Sequence, residues 1–305
     1  MDVKNKLFDR DSKKFTDVGW DTDKFDVQSW LERAPWHILQ DTEYGVKFDA
    51  PDPHPALWSD KLLSEIYKID LATFLTAEKI SMTGISKLVS CAPDEASSVF
   101  MATQAADEAR HFEIFSRRLA DFGVSPEERN SMMDRVTTPE MRKFYDLIAE
   151  QVDRGDFSAA MLSHNIILEG MAYPVYRYEA AYWSVFDPQL SAMIRGAFAD
   201  EVHHVAYGEA IMRNYTAKGD KTRNKMARLA KEFRMLMTEV FESTINHYIG
   251  LYQMAADNYM DEIGDIHIFP TRKMRDVTEK EQVEMLMHDV NNECDKRLAR
   301  IGLSL

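Results

Sequence analysis

The run Asp107-Glu108-Ala109-Arg110-His111 returns 93 residues later (201 − 108) as Asp200-Glu201-Val202-His203-His204. Both have the form D-E-x-x-H, and both lie in stretches whose apolar residues recur at helical spacing. An α-helix turns about 100° per residue, so positions i and i+3 share a face and each run presents a carboxylate beside an imidazole. Two more carboxylates stand where apolar residues belong. Glu78 falls in the stripe Tyr67, Leu71, Phe74, Glu78, Ser81, Ile85, Leu88, and Glu169 falls in Leu162, Asn165, Glu169, Ala172, Tyr176. Carboxylates are almost never buried unless paired or bound to metal. The order Glu, ExxH, Glu, ExxH on four amphipathic helices therefore requires the fold to bring four helices around one polar centre.

The rest of the chain agrees with an all-α fold. Glycine and proline are few, 12 and 10 in 305 residues, and they cluster between long segments of helical periodicity. The spacing predicts a helix from about Ser59, and a second that Asp94 caps and Gly123 ends. A shorter one follows over Pro139–Asp153, then long helices over about 156–185, from Asp187-Pro188, and over 220–259. Pro174, inside the third long helix, removes a backbone donor, so a kink or widening is expected near Glu169. The chain divides into an irregular N-terminal arm rich in aromatics and prolines over 1–58, a helical domain over 59–260, and a C-terminal extension over 261–305 packed on that domain. The extension is read as loops with one helix near 278–301.

The residue types define the chemistry. Four glutamates and two histidines facing one another offer hard oxygens and borderline nitrogens to two metal ions, and this mixture favours iron or manganese over calcium or magnesium. Glu78, Glu108 and His111 are assigned to one ion, Glu169, Glu201 and His204 to the other, with one or two glutamates bridging. The aspartate before each repeated glutamate suggests a crossed support. Asp107 would accept from the free ring N–H of His204, and Asp200 from that of His111. His164, Tyr173, Thr83 and Phe115 are candidates for the wall of a pocket beside the ions. In an α-helix His164 would sit about 140° around from Glu169, and His203 about 100° from His204.

Composition excludes several classes. With 51 acidic and 37 basic residues the formal charge is −14, which repels nucleic-acid phosphates and anionic lipid surfaces. Two cysteines, Cys91 and Cys294, make neither a Cys-rich zinc site nor a disulfide framework, as expected of a protein of the reducing cytoplasm. Met1 to Asp11 reads as neither signal peptide nor anchor, and no membrane-spanning run is expected. No cysteine cluster or glycine-rich dinucleotide fingerprint occurs, so any electrons must come from outside. A homodimer is a reasonable expectation for long amphipathic helices beyond the central four.

The order Glu78, Glu108/His111, Glu169, Glu201/His204 resembles the ferritin-like superfamily of oxygen-activating di-iron proteins, within it the branch related to the small subunit of ribonucleotide reductase. The resemblance covers about residues 60–215. The runs Glu108-Ala-Arg-His111-Phe-Glu-Ile-Phe115, Leu168-Glu169-Gly170 and Asp200-Glu201-Val-His-His204-Val-Ala-Tyr-Gly208 are similar to those of the ligand-binding oxidases of that branch. The resemblance implies a four-helix bundle with additional helices, a di-iron or manganese/iron centre, and dioxygen-dependent oxidation of an apolar or aromatic small molecule by hydroxylation, desaturation or N-oxygenation. It also implies a ferredoxin or flavoprotein reductase as electron donor. The alternatives are ferritin-like iron storage and a ligand-binding protein with a vestigial metal site. The chain departs from each subfamily somewhere. Phe115 replaces the radical tyrosine of the reductase subunit, and His164 the tyrosine that forms an ether crosslink in the ligand-binding oxidases. Ala197 stands where arylamine N-oxygenases add a histidine, and Tyr173 where multicomponent hydroxylases carry a threonine.

Overall fold

Asp60 starts the first long helix by accepting from the backbone N–H of Leu63 at 3.1 Å, and the chain then stays helical, with short breaks, almost to its end. The structure, a computed structural model, describes residues 51–303 and the backbone of two short strands, β1 (Thr42–Glu43) and β2 (Val46–Lys47), which pair antiparallel. Most of the expected 1–58 arm lies outside the described residues. Its last part docks on the body: the N–H of His54 donates to the Phe186 carbonyl at 2.7 Å, and Trp58, in the one-turn helix α1 (Ala56–Ser59), stacks on Phe122.

Helix α2 (Lys61–Cys91) buries the expected stripe, Glu78 included, apart from the half-buried Phe74, and packs along α3 (Glu95–Asp121). Asp94 caps α3 by accepting from Ser97 N–H, and Gly123 follows it at φ 75°, the left-handed conformation that favours glycine. The helix α4 (Pro126–Val136) was not evident from apolar spacing because it buries only Met133 and Val136; a Ser125–Glu128 capping box and Pro126 start it. Helix α5 (Pro139–Asp153) has the bounds the sequence predicts. The next rod is built in three pieces: α6 (Phe157–Met161), a π-helical segment over Leu162–Leu168, and α7 (Glu169–Phe186). Helix α8 (Pro188–Thr216) packs on α7 and also meets α3. Helix α9 (Asp220–Asn258) runs beside them. A one-turn helix α10 (Met260–Ile263) and a small hairpin, β3 (His267–Phe269) with β4 (Arg272–Lys273), lead to α11 (Glu279–Arg300), which packs on α7 and α9. The hairpin corrects the expectation of loops there; its strands are too short to carry an alternating pattern.

The widened turn is present, but Pro174 does not cause it. The segment ends where Glu169 N–H reaches back five residues to the His164 carbonyl, upstream of any bond that Pro174 removes. Packing holds it. Asn165, within the segment, lies so near α8 that a Cβ on Gly208 would come 2.7 Å from the Asn165 Cβ. Gly208→Ala should therefore push the π segment off α8 and cost about 1–3 kcal/mol, read as a lowered midpoint in thermal or denaturant unfolding.

A buried ionic knot fastens α2 and α3 to the start of α8. Asp187 caps α8 by accepting from Gln189 and Leu190 N–H, each at 3.1 Å. Its other oxygen takes the Arg118 guanidinium at 2.5 and 2.9 Å and the Tyr67 hydroxyl at 2.5 Å.

Candidate metal centre

Four helical segments deliver six buried side chains to one point between the α2–α3 and α7–α8 pairs: Glu78 from α2, Glu108 and His111 from α3, Glu169 from the start of α7, Glu201 and His204 from α8. The i,i+3 spacing does its local work here: His111 Nδ1 lies 3.7 Å from Glu108, and His204 Nδ1 3.3 Å from Glu201. Across helices, His111 Nδ1 is 3.3 Å from Glu78 and 3.6 Å from Glu201, while His204 Nδ1 is 3.4 Å from Glu108 and 3.8 Å from Glu169. The ligand atoms form two overlapping groups. Glu78, Glu108, His111 and Glu201 converge within 4.8 Å of one another, as do Glu108, Glu169, Glu201 and His204. Glu108 and Glu201 belong to both groups, which is the placement a bridging carboxylate needs.

Each histidine turns its other nitrogen outward to an aspartate of the opposite motif. His111 Nε2 lies 2.9 Å from Asp200, and His204 Nε2 3.3 Å from Asp107, the crossed arrangement read from the repeat. Arg110 closes the pattern by donating to both, at 2.8 Å to Asp107 and 2.5 Å to Asp200. Burial works against the ionised form of Asp107, but the His204 hydrogen bond and charge, with Arg110 and His111, outweigh it and hold the carboxyl at about 2. An aspartate kept ionised there accepts a hydrogen bond from Nε2–H and leaves the Nδ1 lone pair facing inward, the tautomer of a metal-binding imidazole.

The inner cluster fits cations. His111 Nδ1, Glu78 Oε1 and Glu169 Oε2 are buried without a hydrogen-bond partner, so these atoms face the cluster with unspent lone pairs. Burial pushes Glu78 up to about 7 against the pull of His111, and pushes Glu201 well above the carboxylate range, with Glu108 and Glu169 adding to it. Four carboxylates packed this closely repel one another, and two divalent ions would neutralise them. A neutral side chain completes the ring: Gln104 donates to Glu169 at 2.8 Å and accepts from Asn165 at 3.0 Å, and the same Asn165 amide donates to the His204 carbonyl.

The four pocket candidates fare differently. His164 comes closer than an α-helix would allow. A π turn bonds i to i+5 and brings residues five apart onto one side, so His164 Nδ1 reaches 3.0 Å from Glu169, though not aligned for a hydrogen bond. Thr83 is a correction: it is exposed, its hydroxyl bonded to the Lys79 carbonyl, because five residues of true α-helix carry it away from Glu78. Tyr173 is also corrected; it turns toward α8, donates to the Glu201 carbonyl at 3.2 Å, and carries Arg297 over its ring. Phe115 lies one layer behind the wall, stacked on Phe74.

The wall is made by other residues. A cavity of about 150 Å³ adjoins the cluster, reached by Glu78, Glu169 and Glu201 and lined largely by apolar and aromatic side chains, Phe74, Tyr145, Leu168 and Tyr176 among them. Apart from Glu78, Glu169 and Glu201, the residues of this wall were missed as pocket residues because they carry no pairwise motif, although Phe74 and Tyr176 stand in the stripes that name Glu78 and Glu169. Arg110 was missed although its i,i+3 spacing from Asp107 is a usable signal.

No family model matches the chain, and no curated protein is significantly similar to it. Among the described residues no helix is long and apolar enough to cross a membrane.

Proposed function

We propose that this chain is a ferritin-like, dioxygen-dependent di-metal oxidoreductase that oxidises an apolar or aromatic small molecule. The observation that carries the reading is the pair of overlapping, fully buried carboxylate and imidazole groups opening on an apolar cavity. Glu78, Glu108 and His111 would hold one ion and Glu169, Glu201 and His204 the other, with Glu108 and Glu201 shared. Two irons or a manganese/iron pair suit this donor set. When bound, such ions reduce dioxygen and supply the oxidant. Hydroxylation of a C–H bond then places one oxygen atom in the product and releases the other as water, consuming two protons and two electrons from a ferredoxin or flavoprotein reductase.

The protein's part is to position and to shield. Asp107 and Asp200 fix the tautomer and aim of the two histidines, and Gln104 holds one oxygen of Glu169. Phe74, Tyr145 and Tyr176 give the cavity an apolar wall, and an apolar substrate seated against it would exclude water and strengthen every charge interaction within it.

Anaerobic loading with ferrous iron, followed by air, tests the reading. The expected result is two irons per chain and an absorbance change that requires dioxygen. Uptake of many irons per chain would establish storage instead, and absence of stoichiometric metal would establish a vestigial site.

A further inference from the structure

The cavity has a second polar wall that the metal cluster does not use. Glu179, on α7, lines it, and its Oε2 is buried with no hydrogen-bond partner. Asp70 of α2 lies nearby but is already occupied, accepting from Trp183 Nε1 at 2.6 Å and from the Tyr252 hydroxyl. The titratable groups facing Glu179 are this aspartate and the hydroxyls of Tyr178, Tyr248 and Tyr252, from α2, α7 and α9. No lysine, arginine or histidine is among the residues that line the cavity.

Two helices measure the separation independently. Glu179 stands 10 residues beyond Glu169 (179 − 169), about 15 Å of helix rise, and Asp70 stands 8 residues from Glu78 (78 − 70), about 12 Å. Between these ends the wall is largely apolar, with Ala172 and Val175 from α7, Ala77 from α2, and Val240 and Ile245 from α9, broken by the hydroxyl-bearing Thr73 and Thr244. The cavity thus reaches the carboxylate cluster through Glu78, Glu169 and Glu201, and about 12–15 Å of helix away it meets Glu179, whose Oε2 has no hydrogen-bond partner. Its volume, about 150 Å³, takes a short extended alkyl chain.

We propose that Glu179 anchors an ammonium group, so that the molecule oxidised here is a small apolar amine lying with its nitrogen at Glu179 and its far carbons at the metal cluster. The inference rests on the proposed oxidoreductase reading and narrows its substrate. An anionic headgroup would add a negative charge beside two carboxyls with no cation to receive it. A hydroxyl offers the Glu179 carboxyl one neutral hydrogen bond, whereas an ammonium lets that carboxyl ionise and gains a charge-assisted hydrogen bond. The same placement excludes N-oxygenation, because the nitrogen is held a helix-length from the metal. Burial, with Asp70 beside it, pushes the Glu179 carboxyl well up, so ammonium docking releases a proton and amine affinity rises with pH until the amine itself loses its charge.

Calorimetric titration of the full chain with n-octylamine, 1-octanol and octanoate tests this without any turnover, and is run on both metal-free and iron-loaded protein. The amine is expected to bind at least tenfold more tightly than the alcohol, and its heat should vary with buffer ionisation enthalpy as proton release requires. Glu179→Gln should reduce amine affinity at least tenfold and leave alcohol affinity and iron content unchanged. Equal affinity for amine and alcohol, tighter binding of octanoate, or an unaltered amine affinity in the Gln variant would each overturn the proposal. The first comparison needs no variant, so it stands even if Glu179→Gln does not fold. Amine binding with no dioxygen reactivity would retire the oxidoreductase reading and leave the ammonium site; dioxygen reactivity without amine preference would do the reverse.

Discussion

Glu201→Gln should cost the protein both metal ions, whereas Glu78→Gln should cost one. The difference follows from the overlap of the two ligand groups: Glu201 lies within reach of both histidines, at 3.6 Å from His111 Nδ1 and 3.3 Å from His204 Nδ1, while Glu78 is near His111 alone. A glutamine keeps the volume but supplies one neutral oxygen and cannot bridge. The loss in affinity should exceed the about 10- to 100-fold expected when an outer partner such as Asp200 is replaced by alanine. Metal analysis after equilibrium dialysis reads all three variants. The metal-free Glu201→Gln protein should meanwhile be at least as stable as the metal-free parent, because burial and the neighbouring Glu108 and Glu169 make the Glu201 charge unfavourable there. Loss of one ion from both glutamine variants would show that Glu201 does not bridge.

Arg118→Ala should be the most destabilising of the single changes considered, at about 3–5 kcal/mol, because it strands the Asp187 carboxylate with no compensating charge. Asp187 is completely buried and holds three elements at once, through Tyr67 of α2, Arg118 of α3 and the first turn of α8. Asp187→Asn should cost less. The asparagine oxygen can still accept at the α8 cap, and no buried charge is left without a partner except the guanidinium, which also reaches Asp121 at 3.1 Å near the surface. Urea unfolding of the metal-free proteins measures both. Equal losses for the two variants would mean that the stranded Asp187 charge is not what makes the Arg118 change costly.

The helical fold was legible because most long helices here announce both their stripe and their ends: Asp94, Pro139 and Asp187 all begin helices where the sequence places them. The six clustered side chains were legible for a related reason. A glutamate and a histidine three apart share a helix face whatever the tertiary structure, so half the geometry is local. What stayed hidden depends on departures from the regular helix or on partners far away in sequence. The π segment has no sequence sign of its own, so His164 was placed about 140° around from Glu169 instead of beside it. Thr83 was misplaced by the opposite error, since α2 is regular there and carries it outward. Glu179 and Asp70 went unnoticed because each is a lone carboxyl on a helix face, about 80° off the metal face in the case of Glu179, and only folding brings Glu179 to the cavity with Asp70 beside it.

Arg110 links the two halves of the centre in a way that bears on how it fills. One guanidinium, three-quarters buried, donates to both Asp107 and Asp200, and each aspartate steadies the histidine of the other motif. If the centre binds ions as proposed, one held by His111 would draw on Asp200, and because Arg110 shares that carboxylate's charge with Asp107, the partner of His204, the two positions would be coupled. Loading should be cooperative, with singly occupied chains scarce at half saturation, and an Arg110→Leu chain should accumulate them.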